Sequence, residues 1–308
     1  MMADLVAVLA AFCWAASNIC IARGSTRGGD NGAFLSICLT MLIAGTFWLF
    51  GLDMSQLPQL DPFGVLWFAI AGVLTIFLGR VFFHSSVQHL GAIRSSSVKR
   101  LVPFFTVVLG ITWLGETLQP AVAAGMLFIF SGFLLLVVES RRKASAASTS
   151  DDSQIPAGST TSRWLSAGIV YGVVSALAYA IGNVSRKFGL DALPDPAFGA
   201  MFGALVGTVL FLAAATRLQS YRIAVVSAVT VFNPWLLGAG VLSSAGQLLF
   251  FAAIDQSTLS RATLIVSIDV FLTILFSVVF FRARESISAY AISAAVLGFL
   301  GTAVIMLN

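Results

Sequence analysis

Charge is what this sequence has least of. Only 10% of its 308 residues are charged while 58% are hydrophobic, against roughly a quarter charged in soluble domains, and the mean hydropathy is +0.97. A water-soluble globule is excluded on that ground. A nucleic-acid surface is excluded too, because the net charge is only +4 and the basic residues are scattered. Two histidines and three cysteines leave little for a metal or redox centre. Cys13, Cys20 and Cys38 fall within apolar runs without ligand spacing, and read as small buried hydrophobes. No nucleotide-binding glycine loop and no nucleophile–base arrangement can be assembled, so neither an enzyme nor a cofactor or metal is expected. The opening Met-Met-Ala-Asp lacks a basic n-region, and no removable signal peptide is expected.

What is there is apolar and unbroken. Runs of about 20 apolar residues fit the hydrocarbon of a bilayer, and lipid admits only helices or closed barrels. Continuous rather than alternating hydrophobicity selects helices. Ten spans can be drawn, at 3–22, 32–50, 63–83, 93–114, 119–139, 164–186, 197–216, 234–254, 261–281 and 286–307. Asp61-Pro62, Asp195-Pro196 and Asn233-Pro234 each place a capping side chain before a proline at the first helical position, and Pro120 opens the fifth span in the same way. The long polar stretch Ser140 to Ser162, rich in Ser, Ala and Thr, reads as a flexible linker.

Two stretches look alike: Ser97 to Glu116 and Val266 to Glu285, each an apolar helix with polar groups near its start and a Glu at its end. Setting Glu116 on Glu285 also superposes Phe82 on Phe251, Leu90 on Leu259, Phe130 on Phe299 and Gly132 on Gly301. One register held that far marks an internal repeat. A slightly shorter offset places Trp14-x-x-x-Asn18 on Tyr179-x-x-x-Asn183 and Asp30 on Asp195. The chain therefore divides into a first repeat (1–139), a linker (140–162) and a second repeat (163–308). Five spans per repeat is an odd number, which inserts the second copy upside down. The expected fold is an all-α integral membrane protein of ten transmembrane helices in two inverted five-helix repeats, an architecture found mostly in secondary transporters. Most loop arginines, from Arg23 and Arg27 to Arg282 and Arg284, lie on one face, whereas Arg186, Lys187 and Arg261 mark the other. If the richer face is cytoplasmic, both termini lie outside.

These features resemble the drug/metabolite transporter superfamily in its EamA-like ten-helix branch. The resemblance rests on the Pro103 to Gly115-Glu116 helix and corner, on Gly125 and Gly132 in the following helix, on Trp14 and Asn18 in the first, and on their partial repetition. It covers nearly the whole chain and implies a transporter scaffold in a cell membrane, that of a bacterial inner membrane, with a small-molecule substrate. Arg284-Glu285 departs from the usual Gly-Glu of the second copy. Members usually keep both termini in the cytoplasm, against the charge count above.

Glu116 and Glu285 each precede a helix, where a carboxylate complements the positive end and its free amides. Ionisable groups inside apolar runs are more informative, because at membrane depth they normally face a cavity or a partner. Arg80 and His84 share one helix face that Gln88 continues, and the equivalents in the second repeat are Leu249, Ala253 and Ser257. Lys99, Arg100 and Asp269 lie in the two look-alike stretches, with Arg100 and Asp269 at equivalent positions. Asn18 and Asn183, each one turn after an aromatic (Trp14, Tyr179), suit either an interhelical bond or substrate contact, and Gln247 with Ser243 adds a further polar face. Trp14, Asn18, Arg80, His84, Lys99, Arg100, Tyr179, Asn183, Gln247 and Asp269 are thus the candidate substrate-binding residues.

The expected function is an alternating-access secondary transporter, an exporter of a small polar organic metabolite such as an amino acid, coupled to protons or to a counter-substrate. In the amino-acid version Arg100 clamps the carboxylate and Asp269 takes the ammonium. An organic-anion or phosphorylated-metabolite exchanger is the alternative, since Lys99-Arg100 resembles the dibasic helix of sugar-phosphate translocators. A non-transporting membrane scaffold is the reading from another class.

Overall fold

The computed structural model describes residues 2–24, 32–51, 61–90, 98–149, 159–281 and 289–307, and every regular element among them is a helix. First come α1 (Met2–Gly24) and α2 (Ala33–Gly51). A continuous helical path then runs through α3 (Pro62–Gly72), a π-helical segment (Val73–Leu78) and α4 (Gly79–Leu90), followed by α5 (Val102–Trp113) and α6 (Pro120–Thr149). The second part holds α7 (Ser159–Ala192), α8 (Pro196–Ala215), α9 (Gln219–Thr230), α10 (Pro234–Gln256), α11 (Leu259–Val266), α12 (Asp269–Phe281) and α13 (Ala289–Met306). Among the described residues eight stretches are long and apolar enough to cross a membrane, and two shorter apolar helices, Val102–Trp113 and Ile292–Met306, accompany them. Helices α6 and α7 continue past the span ends expected at 139 and 164, into the polar stretch; residues 150–158 lie outside the described residues.

The helix starts follow their chemistry. Asp61 accepts from the Phe63 amide at 3.0 Å, Asp195 from Phe198 at 2.9 Å and Asn233 from Trp235 at 3.0 Å, with proline in the first turn each time. Pro120 opens α6 as expected.

Both look-alike stretches are broken where their polar residues stand. Helix α5 begins only at Val102, after a turn at Arg100 and Leu101, with Pro103 in its first turn. A proline there has no amide to donate and its ring opposes the carbonyl of Lys99, so a helix cannot run straight through. The second copy achieves the break without proline: the Ser267 hydroxyl donates to the Leu264 carbonyl at 2.6 Å and the Ile268 amide to Ile265 at 3.2 Å, closing a tight turn between α11 and α12. Arg100 and Asp269 therefore sit at the breaks.

The dominant helix pairs join the two parts: α1 with α10, α2 with α8, α4 with α7, and α6 with α13. Phe68 and Ile129 from the first part share one core with Leu264 and Phe271 from the second, all essentially inaccessible. Where α6 crosses α13, a Cβ on Gly125 would stand 2.5 Å from the Gly301 carbonyl, and one on Gly301 would stand 2.6 Å from that of Gly125. Only glycine permits such an approach. Asn18 on α1 donates to Thr273 on α12 at 3.2 Å, and its counterpart Asn183 on α7 donates to Thr106 on α5 at 3.5 Å. Each asparagine thus ties its helix to a post-break helix of the other part. Because the cohesive contacts cross between the parts, residues 1–145 and 160–308 made as separate chains in one cell should assemble and co-purify, and each made alone should be degraded. Failure of the co-expressed pair to co-purify would give the covalent linker a structural role.

Candidate functional site

A second-part charge that lies deep is Arg186, 7% exposed on α7. It stands one and a half turns inside a helix that ends at Ala192, not among the loop charges where the sequence reading places it. One terminal nitrogen, Nη1, donates to Asn183 Oδ1 at 3.3 Å, and the other, Nη2, to Thr75 Oγ1 at 3.1 Å. In the amide orientation its neighbours require, Gln247 Oε1 accepts from Nη2 at 2.9 Å and from Nη1 at 3.3 Å. The guanidinium also lies 5.1 Å from the Phe251 ring and 5.8 Å from Phe250. All these acceptors are neutral. Among the described residues no carboxylate comes within 4.0 Å of Arg186, so its hydrogen bonds are met and its charge is not. A buried ion left without a counter-charge carries a desolvation cost of several kcal/mol.

Arg186 lines a cavity of about 120 Å³ between the two parts of the chain. From the first part come Thr40, Thr75 and Arg80, from the second Tyr179, Arg186 and Gln247, with Gly72 and Gly203 letting the walls close together. Two arginines and several neutral hydrogen-bonding groups line the cavity, and no Asp or Glu does among the described residues. Thr75 belongs to the π-helical segment, and its hydroxyl donates to Ala71 O at 2.8 Å, which leaves its lone pairs to Arg186.

The cavity gathers Arg80, Tyr179 and Gln247 of the candidate residues, and Asn183 stands behind Arg186. Of the others, those whose side chains are described lie apart from it. Trp14 covers Gly246 and packs 5.4 Å from Phe250, and Asn18 makes its interhelical bond. Lys99 Nζ rests 5.0 Å over both Phe83 and Tyr179, and so packs against a ring that lines the cavity. Arg100 and Asp269 interact through space without approaching within 4.0 Å, and Arg100 Nη1 is buried without a hydrogen-bond partner. The side chains of His84 and Gln88, and Glu285, lie outside the described residues.

At the Asp4 face, groups from both parts are tied together. Glu116 accepts from the Leu259 amide, from the Ser260 amide at 3.0 Å and from the Ser260 hydroxyl. It caps α11 of the opposite part rather than the helix that follows it in sequence. Asp4, 3% exposed, receives Arg261 through Nε at 2.7 Å and Nη2 at 3.3 Å, a two-pronged geometry. Lys187 donates to the Ile254 carbonyl at 3.2 Å and pairs with Asp191 at 3.1 Å. At the opposite, Arg23 face, Asn233 donates to Gly24 O at 2.9 Å and Arg23 lies 4.9 Å over Trp235.

A model of the EamA-like transporter family matches residues 1–138 and 166–307. The chain belongs to the EamA-like transporter family. It is accordingly a multi-pass membrane protein and a transporter of the drug/metabolite superfamily, with a small-molecule substrate. A solved structure titled only "Crystal structure of protein" aligns over 99% of this chain and 97% of its own, with a TM-score of 0.68 at 18% identity, and shares the fold. No curated protein matches significantly.

Proposed function

We propose that the chain is an alternating-access secondary transporter in which the Arg186 cavity binds the anionic group of a small polar organic metabolite. The observation that carries this is a buried guanidinium with no carboxylate partner among the described residues, in a cavity that both parts of the chain build. A bound carboxylate would supply the missing counter-charge, and only the loaded site would then be electrically matched. Of the substrate classes expected from sequence, the organic anion is favoured over the amino acid. An ammonium group would need a carboxylate in the cavity, and the described lining holds none.

In this reading ten helices cross the bilayer as inverted repeats. The latched Asp4 face is the closed gate, and the cavity loads from the Arg23 face, where its lining reaches Ser36 near the start of α2. With the arginine-rich face in the cytoplasm, that direction is export. The test is a thermal-shift screen of the purified protein against small carboxylates and their uncharged amides, followed by counterflow in proteoliposomes. A ligand at 100 times its Kd should stabilise the fold by about 2.7 kcal/mol. Stabilisation by acids and not by their amides, with exchange of the same acids, is expected; ligands that are all neutral or cationic would overturn the reading.

A further inference from the structure

Helix α9 lies between the end of α8 and the start of α10, and the start of α10 touches Gly24 at the Arg23 face. Both of its ends are therefore tied to membrane spans at one face, which holds α9 at the level of the lipid headgroups. Its inner stripe, Tyr221, Ala224, Val225 and Ala228, has helical spacing and packs on the small cluster around Phe34, Ile37 and Phe211. Its outer side is apolar as well: Ile223 and Val226 are about half exposed and Val229 is 82% exposed. A helix apolar on both sides at this level has protein on one and acyl chains on the other.

Along α9 runs a groove of about 630 Å³ that contains both Arg217 and Arg222, the neutral donors Gln219 and Ser227, and walls from Ile223 and Val226. Among the described residues neither arginine meets a carboxylate within 4.0 Å. We propose that this groove holds an anionic phospholipid of the surrounding bilayer, its phosphate between Arg217 and Arg222 and its chains along Ile223 and Val226. A soluble anion would satisfy the arginines and leave the apolar wall bare; a zwitterionic lipid would cover the wall and leave excess positive charge. Only an anionic lipid matches both.

The site is wired to the transport cavity. The Tyr221 ring, on the inner side of α9, lies 4.6 Å from Phe211 and 6.5 Å from Phe77, within electrostatic reach of Arg80. Arg80 and the Phe77 neighbour Ile76 line the cavity. Occupancy of the groove thus fixes α9 and, through Tyr221, one wall of the site.

The full-length protein in detergent, offered equal phosphatidylglycerol and phosphatidylcholine with matched chains, tests this by native mass spectrometry without any transport assay. Wild type should retain the anionic lipid, and Arg217→Gln with Arg222→Gln should lose that preference by about 30-fold, from about fivefold per surface cation. Arg23→Gln, at the same face but outside the groove, should leave the preference intact. Equal retention of the two lipids by wild type, loss of preference in Arg23→Gln as well, or equal stabilisation by inorganic phosphate would overturn the proposal. The wild-type comparison stands even where a variant fails to fold.

Discussion

Arg186→Lys is expected to reduce uptake of an anionic substrate at least about tenfold at subsaturating concentration, because the ammonium keeps the charge but loses the planar fork that holds two oxygens at once. Arg186→Met should abolish uptake altogether. The decisive contrast is stability. A structural arginine leaves a wound when it is removed, whereas replacing an unneutralised buried charge by an apolar side chain of similar volume removes a desolvation penalty of several kcal/mol, which offsets the acceptors left behind. The thermal midpoint of Arg186→Met should therefore stand at or above that of wild type in the absence of substrate, and addition of substrate should no longer raise it. A midpoint that falls by many degrees, with transport lost only in proportion to the folded fraction, would make Arg186 part of the scaffold and not of the site.

Glu116→Ala should have the largest effect on the fold. It strips a charged acceptor from two first-turn amides of α11 and from the Ser260 hydroxyl. Hydrogen bonds to charged groups contribute about 1.5–3 kcal/mol each, and they share one carboxylate, so a loss of about 3 kcal/mol is expected. Glu116→Gln, which retains one acceptor oxygen, should lose roughly half as much. Denaturant titration of the three proteins in one detergent gives the comparison. The same substitutions release one latch of the Asp4 face, so a cysteine placed beneath it should react faster with an impermeant thiol reagent in Glu116→Ala than in the parent. An Ala variant as stable as wild type would show that the cap contributes nothing, and the latch would then have to rest on Asp4 and Arg261 alone.

The helix starts and the family were legible in the sequence because they are local or periodic. A proline after an Asp or Asn is a cap wherever the chain goes, and a register that superposes Phe82 on Phe251 and Gly132 on Gly301 survives any folding. That Glu116 would cap a helix was readable from its place in a turn. Which helix it caps was not, since that depends on the two parts interleaving. Arg186 was missed for a definable reason: Ser185-Arg186-Lys187 looks like the polar end of a span, and the span was ended there. A signal existed. Tyr179, Asn183 and Arg186 fall at i, i+4 and i+7 on one face, and the first repeat offers Trp14, Asn18 and Ile21 in their place. The arginine thus appears in one copy only, the criterion that singled out the Arg80 face. Helix α9 was missed because its inner stripe is short and two arginines interrupt its neighbourhood, so no span-length window detects it.

The pairing of every main helix with one from the other part also bears on how the protein is made. Translation at about 5–20 residues/s needs roughly 8–30 s to add a second half of this length. Through that interval the first half waits in the bilayer with the crossing site of Gly125 facing lipid, Glu116 without α11 to cap, and Asp4 without Arg261. The nascent chain is thus most exposed to quality-control proteases at its midpoint. A slow codon run placed just after the first 139 residues should lengthen that exposure and lower the yield, whereas the same run placed over the last codons of α13 should cost little.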